Sequence, residues 1–350
     1  MFADFGFDTL TAPDLVPYLG LAIGLAFGAL AEITGFCFRR AVTGPAETRR
    51  PALGIWMAAL ATAILGTQAA AAAGLIAFEG HRLHSPDLAL AALLTGGVLF
   101  GAGMVLTRGC ISRLTVLGGS GNLRALLVLV VFAIVAHATL KGVLAPLRTA
   151  LGAWTLPVGD YASLAALPGP AFGWALVLAA GAAALACCSG APRGRLALAA
   201  LLGLLVPAAW VGTGFVLYDD FDPVPLTGLS FTAPAAETLF WGVAATAIKP
   251  TFGVGLLGGV LAGAAISARL SGRFRWQSFD SPAQTGRYMG GAVLMGIGGV
   301  LAGGCTVGAG LAGIPTLSLA AVLALAAIAV GARATQALLS APSSGVSAAT

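Results

Sequence analysis

Nine apolar runs carry this chain, at about 15–36, 53–78, 87–106, 123–145, 171–188, 195–217, 252–268, 285–302 and 315–339. Each is long enough, or nearly so, to cross a bilayer as a helix, which takes about 20 apolar residues. A further run, 237–248, has only twelve residues and ends in Lys249-Pro250. It is too short to span and is expected to be re-entrant. The polar intervals set the orientation through the excess of Lys and Arg on the inner side. The N-terminus, with Asp4, Asp8 and Asp14, goes outside, and Arg39, Arg40, Arg49 and Arg50 place the next loop inside. The loop 79–87 is outside, Arg108, Arg113 and Arg124 inside, 146–170 outside, Arg193 and Arg195 inside, and Asp219–Asp222 outside. If 237–248 crossed, Arg269, Arg273, Arg275 and Arg287 would all face outward, against that rule. The pattern predicts an all-α polytopic integral membrane protein of about nine transmembrane helices plus short re-entrant helices. Its N-terminus is outside and its C-terminus inside.

The apolar pattern also repeats. Residues 96–110, GGVLFGAGMVLTRGC, return at 291–305 as GAVLMGIGGVLAGGC, with nine of fifteen positions identical at a constant offset of 195. Glycine matches are unsurprising in a chain with 50 Gly, but a matched Cys is informative when there are only five. A fainter echo relates Gly20, Gly24 and Gly28 to Gly255, Gly259 and Gly263 at an offset of 235, which pairs Cys37 with Gly272. The two offsets differ by about one helix and a loop, so parity flips between them. The Cys110 stretch is then expected to leave from the inner side and the Cys305 stretch from the outer side, the inverted arrangement of transporters with a midplane site. A single membrane domain is expected, with a first half at 13–150, an outer connection at 151–170, a second half at 171–340 and a disordered tail at 341–350.

Composition agrees with a lipid environment. Hydrophobic residues make up 58% and charged residues 9% of the 350, where a soluble domain has about 25% charged. The net charge of +5 reads as a loop feature and not as a nucleic-acid patch. The first residues lack Lys and Arg, so no signal peptide is recognised. An odd cysteine count without C-x-x-C argues against a disulfide framework and against a metal site, and no cofactor is expected. Cys187 and Cys188 are read as small hydrophobes packed in a helix, and His81 and His84 as solvated in an outer loop.

The chemistry concentrates on three single thiols, Cys37, Cys110 and Cys305. Gly109-Cys110 and Gly304-Cys305 precede segments too brief to cross, and Cys37 follows Gly35 near the end of the first span. Irregular backbone at membrane depth is tolerated where it lines a cavity or is buried in protein. If each Cys opens a half-helix, its sulfur sits beside unpaired N–H groups and a positive dipole end, which suits an anion. Gly35, Gly109, Gly304 and Thr306 are the supporting loop residues. Arg108 and Lys249 are candidate anion contacts, though Arg108 also serves as a topology signal, as do Arg39, Arg40 and Arg113. Glu32 is expected to pair with Arg39 or Arg40, and His137 and Lys141 share a helix face.

GFCFRRA, the repeated GxGxxLxxGC and the later FRW at Phe274, Arg275 and Trp276 together resemble the YeeE/YedE family of bacterial inner-membrane sulfur transporters. The resemblance covers most of 15–340, and by motif the family's three thiols fall on Cys37, Cys110 and Cys305. It implies nine spans in an hourglass-like shape and uptake of thiosulfate. It also implies a cytoplasmic receiver of the TusA-like sulfurtransferase kind. The Cys187-Cys188 pair departs from the pattern. The expected mechanism is passage along neutral thiols by weak S–H···S contacts, without enzymatic turnover. The alternatives are a membrane thiol relay, or sulfurtransferase, that passes sulfur as a Cys persulfide, and transport of a related sulfur or selenium compound.

Overall fold

The computed structural model describes residues 11–219 and 222–340. The acidic N-terminal residues Asp4 and Asp8, Asp220 of the outer acidic loop and the 341–350 tail lie outside the described residues. The first six helices are α1 (Ala12–Thr34), α2 (Phe38–Thr43), α3 (Ala46–Ala72), α4 (Leu90–Leu106), α5 (Ile111–Gly119) and α6 (Leu123–Lys141). After α7 (Ala145–Gly152) and α8 (Ala171–Cys187) come α9 (Arg193–Val211), α10 (Thr232–Ala244), α11 (Phe252–Leu270) and α12 (Pro282–Leu301). A π-helical segment (Thr306–Gly313) and α13 (Leu319–Ser340) complete the chain. Eight stretches among the described residues are long and apolar enough to cross a membrane, and α8 is a shorter apolar helix. Together they match the nine apolar runs. The protein is a multi-pass membrane protein. The run 237–248 falls largely in α10, whose 13 residues reach only about 20 Å at 1.5 Å per residue.

Lipid tails are as apolar as the helix faces, so helix association here depends on close packing through small residues. The glycine echo at offset 235 is that packing. Gly20 abuts Phe252 and Leu256, Gly24 abuts Leu256 and Gly259, and Gly28 abuts Val260 and Ala264, so α1 and α11 run parallel with interlocked glycine rows. The echo is thus an interface between two helices rather than a duplication, and the pairing of Cys37 with Gly272 is corrected. By contrast, α4 and α12 pack antiparallel. Gly96 meets Gly298 and Ala302, while Gly103 meets Gly291 and Met295. The repeat converts the first of these contacts into the second, since Gly96 corresponds to Gly291 and Gly103 to Gly298. That is the signature of a two-fold relation between inverted halves.

The duplication extends well beyond the fifteen-residue match. The order long, short, long, long, short, long in α1 to α6 recurs in α9 to α12, the π-helical segment and α13. At the single offset of 195, Phe36-Cys37 before α2 falls on Phe231-Thr232 at the start of α10. The breaks after α4 and α12 each use a left-handed residue at corresponding positions, Arg108 (φ 60°) and Gly303 (φ 72°).

Two faces result. One carries Asp14, the 79–89 loop and Lys249, where Asp87–Leu88 pairs antiparallel with Leu156–Pro157. The opposite face carries Arg40, Arg113, Arg124 and Arg273. There the FRW stretch anchors the turn between α5 and α6. Arg275 N donates to Ser120 O (3.3 Å), and Phe274 meets Trp276 edge-on at 5.3 Å.

Candidate functional site

Each of the three thiols stands immediately before a short helix. Cys37 precedes α2, Cys110 precedes α5 and Cys305 precedes the π-helical segment, all with extended backbone. The turns that place them are specific. Gly35 ends α1 in the left-handed region (φ 66°), and its carbonyl accepts from Arg40 Nη2. Thr107 Oγ1 donates to the carbonyls of Gly103 (2.9 Å) and Gly109 (3.0 Å), holding the break before Cys110. Gly304 lies where a β-carbon would press on Ala309 N at 2.9 Å.

The thiols are buried, Cys305 fully, Cys110 at 2% exposure and Cys37 at 6%. Cys110 and Cys37 are electrostatic neighbours, and Cys110 Sγ lies 3.2 Å from Ser112 Oγ. Cys305 Sγ accepts from Gly308 N at 3.4 Å and borders Phe231 and Thr232. The two halves therefore build the same junction twice, where the first short helix and the second begin side by side. In the first half the pair is Cys37 with Cys110. In the second it is Thr232 with Cys305. Phe27 lies between them, its ring 6.3 Å from Phe36 and 5.3 Å from Phe231.

Charge surrounds the thiol set unevenly. On the arginine face, Arg113 is an electrostatic neighbour of Cys37, Cys110, Arg40 and Glu32, and Nη1 reaches Ala31 O at 3.4 Å. Glu32 pairs with Arg273 (2.6 Å) and accepts from Ser267 Oγ (3.1 Å), instead of pairing with Arg39 or Arg40. The reason is reach across the α1–α11 interface, which brings Ser267 and Arg273 to the end of α1. Arg108, by contrast, is exposed at the α4–α5 break.

On the other face a cavity of about 510 Å³ opens, lined among others by His81, Arg82, Trp210, Glu237, Lys249 and Gly308. Gly308 is the residue whose N–H meets Cys305. Arg82 Nη1 donates to Gly303 O (2.9 Å), two residues from the same thiol. Lys249 sits at the rim, paired with Asp14 at 2.8 Å, and that carboxylate raises its pKa above the usual lysine range. His81 and His84 are half-buried against aromatic rings rather than fully solvated. The rings of Phe78 and His84 stack at 5.9 Å, and His81 meets Trp210 edge-on at 5.4 Å. Burial, then Arg82 and His84, lowers His81 to about 4. Cys187 and Cys188 are exposed at the end of α8, not packed inside it. Among the described residues no three His, Cys, Asp or Glu side chains gather as a metal site would need.

Sequence reasoning singled out the thiols, Gly35 and Thr306 but passed over Thr232 and discounted Arg113. The trace of Thr232 in the sequence is slight, one Phe-Thr that answers Phe36-Cys37 at offset 195.

Comparison with known proteins gives the same duplication. A chain from Spirochaeta thermophila, a thiosulfate transporter TsuA, is 26% identical over 274 residues, 69% of this chain and 76% of that protein. The thiosulfate transporter TsuA of Escherichia coli K12 is 35% identical over 116 residues, 32% of this chain and 30% of that one. The sulphur transport family matches twice, over residues 34–199 and again over 190–334. With this double match across the two inverted halves, the chain belongs to the sulphur transport (YeeE/YedE) family.

Proposed function

We propose that this protein carries thiosulfate inward across the bacterial inner membrane, with the cavity face periplasmic and the arginine face cytoplasmic. The observation that carries the reading is the placement of three buried thiols at the starts of three short helices, one next to a residue that lines the open cavity and two beside Arg113. The excess of Arg on the face opposite the cavity supports the orientation, with the N-terminus periplasmic and the C-terminus cytoplasmic.

Thiosulfate is a dianion with a soft terminal sulfur and a hard SO3 end. Arg82 draws it into the cavity by charge, where Lys249 is already paired with Asp14 and Glu237 shares the lining. From Gly308 it meets Cys305, then Cys110 and Cys37. The starts of α5 and the π-helical segment offset the cost of bringing a charge into a low-dielectric interior. A neutral thiol is a weak S–H donor that contacts the terminal sulfur loosely enough to release it, as conduction requires. Arg113 receives the anion at the inner pair, and Arg108 meets it on the exit face. Sulfate has no soft sulfur to contact. A TusA-like sulfurtransferase is the proposed cytoplasmic receiver. No bond is made or broken, so the protein is not an enzyme in this reading.

The test is uptake of radiolabelled thiosulfate by liposomes holding the purified protein, with excess sulfate present. Uptake that persists under sulfate supports the reading; sulfate that competes equally refutes the soft-sulfur selection. One observation favours a second reading. Two adjacent thiols beside a guanidinium is also the arrangement a persulfide relay would use. A Cys–S–S– adduct on Cys37 or Cys110, found by mass spectrometry after turnover, would establish that alternative.

A further inference from the structure

The second half of the duplication departs from the first at one chemically telling place. Where the first half sets a thiol just before its first short helix, the second opens that helix with the hydroxyl of Thr232. Thr232 is 4% exposed, borders Cys305, and its Oγ1 finds no well-formed hydrogen bond among the described residues beyond a weak contact with the Cys305 thiol. Thr306, 1% exposed, stands between the half-sites. It follows Cys305 in the chain, borders Cys110 in space, and its Oγ1 likewise finds no well-formed hydrogen bond among the described residues beyond a weak contact with the Cys110 thiol. Most buried hydroxyls in helices bond the carbonyl one turn back, as Thr34, Thr107, Thr115 and Thr139 do here. These two do not. A buried hydroxyl without a partner is a destabilising feature, and valine, of the same shape, would remove the cost.

We infer that Thr232 and Thr306 are the donors for the oxygen end of the transported anion, while Cys305 and Cys110 face its sulfur. This rests on the reading of the protein as a thiosulfate carrier and deepens it. Cys305 has the Thr232 hydroxyl at its side and Cys110 that of Thr306, and each such pair matches an anion that is hard at one end and soft at the other. Hydroxyls donate well to sulfonate oxygens, whereas thiols are weak donors. The inner pair of Cys37 and Cys110, by contrast, presents two soft groups, so the oxygen end is released there to Arg113. The outer half selects for both ends of the ion at once, and the inner half lets go of one.

The test is the concentration dependence of thiosulfate uptake in liposomes for wild type, Thr232→Val, Thr306→Val and the corresponding Ser variants. Thr67→Val is the control, because Thr67 is also buried and unpartnered but lies within α3, away from the helix starts that carry the thiols. Removing a hydrogen bond to a charged group is expected to raise KM about ten- to a hundredfold. Serine should restore KM, and melting temperatures should be unchanged or raised. Thr67→Val should keep the wild-type KM. If a Val variant does not fold, Thr232→Cys keeps the volume, copies the inner pair and should still raise KM. Folded Val variants with wild-type KM, in a wild type that transports, would overturn this assignment alone. A wild type that takes up no thiosulfate would overturn the functional reading and the assignment with it.

Discussion

At the scale of single residues, conformation and protonation make the sharpest statements. His81 Nδ1 accepts from Leu83 N (3.3 Å), a bond that only the neutral ring can make. Its pKa in the folded protein is about 4, against an ordinary 6.5. Above pH 6.5 the ring is neutral whether or not the chain is folded, and its contribution is fully present. As pH falls from 6.5 toward 4 the unfolded chain takes up the proton first, so stability is lost across that window. The loss should be roughly 1–2 kcal/mol, less than the full shift because the site is partly exposed. His81→Asn keeps an acceptor without a titration, and its melting temperature should fall less over that window than the wild type's. Equal slopes would refute the assignment. Arg108 offers a second case. A non-glycine residue at φ 60° costs about 1–2 kcal/mol, and its counterpart Gly303 avoids that cost. Arg108→Gly is expected to raise the melting temperature; a fall would show that its side chain holds the break. The histidines escaped sequence reasoning because a short outer loop gave no hint that Phe78 and Trp210 would close over it.

At the scale of elements, the spans and the inversion were legible because bilayer thickness and the inside excess of arginine leave few alternatives. The glycine echo misled for a physical reason. Parallel helices in close contact need glycines at the same spacing on both partners, which imitates a repeat without common descent. Gly24 and Gly258 separate the two kinds of glycine. A β-carbon on Gly24 would meet backbone at Leu256 and Gly259, whereas nothing lies within 4 Å of one on Gly258. Gly24→Ala should destabilise the protein by about 1–3 kcal/mol or more, and Gly258→Ala should stay within about 0.5 kcal/mol of wild type. Thermal unfolding in detergent reads both. Comparable loss in the two would mean that the α1–α11 contact is not what the glycines serve. The true duplication was under-read at the short helices, where one Phe-Cys answered by one Phe-Thr is too little to see without the element order.

At the scale of the molecule, two inverted halves meet through α4 and α12 and place one thiol near an open cavity and two near the opposite, arginine-rich face. All three are buried, so in the proposed reading the anion passes only when the packing around them opens. The central claim is that the thiols carry the anion rather than merely pack. It is tested most directly by thiosulfate uptake into liposomes with Cys110→Ala beside wild type. Cys110 is 2% exposed and small, so alanine should leave the fold intact. The account predicts that uptake is abolished while the melting temperature stays near the wild-type value. Wild-type uptake by the folded Cys110→Ala variant would contradict it.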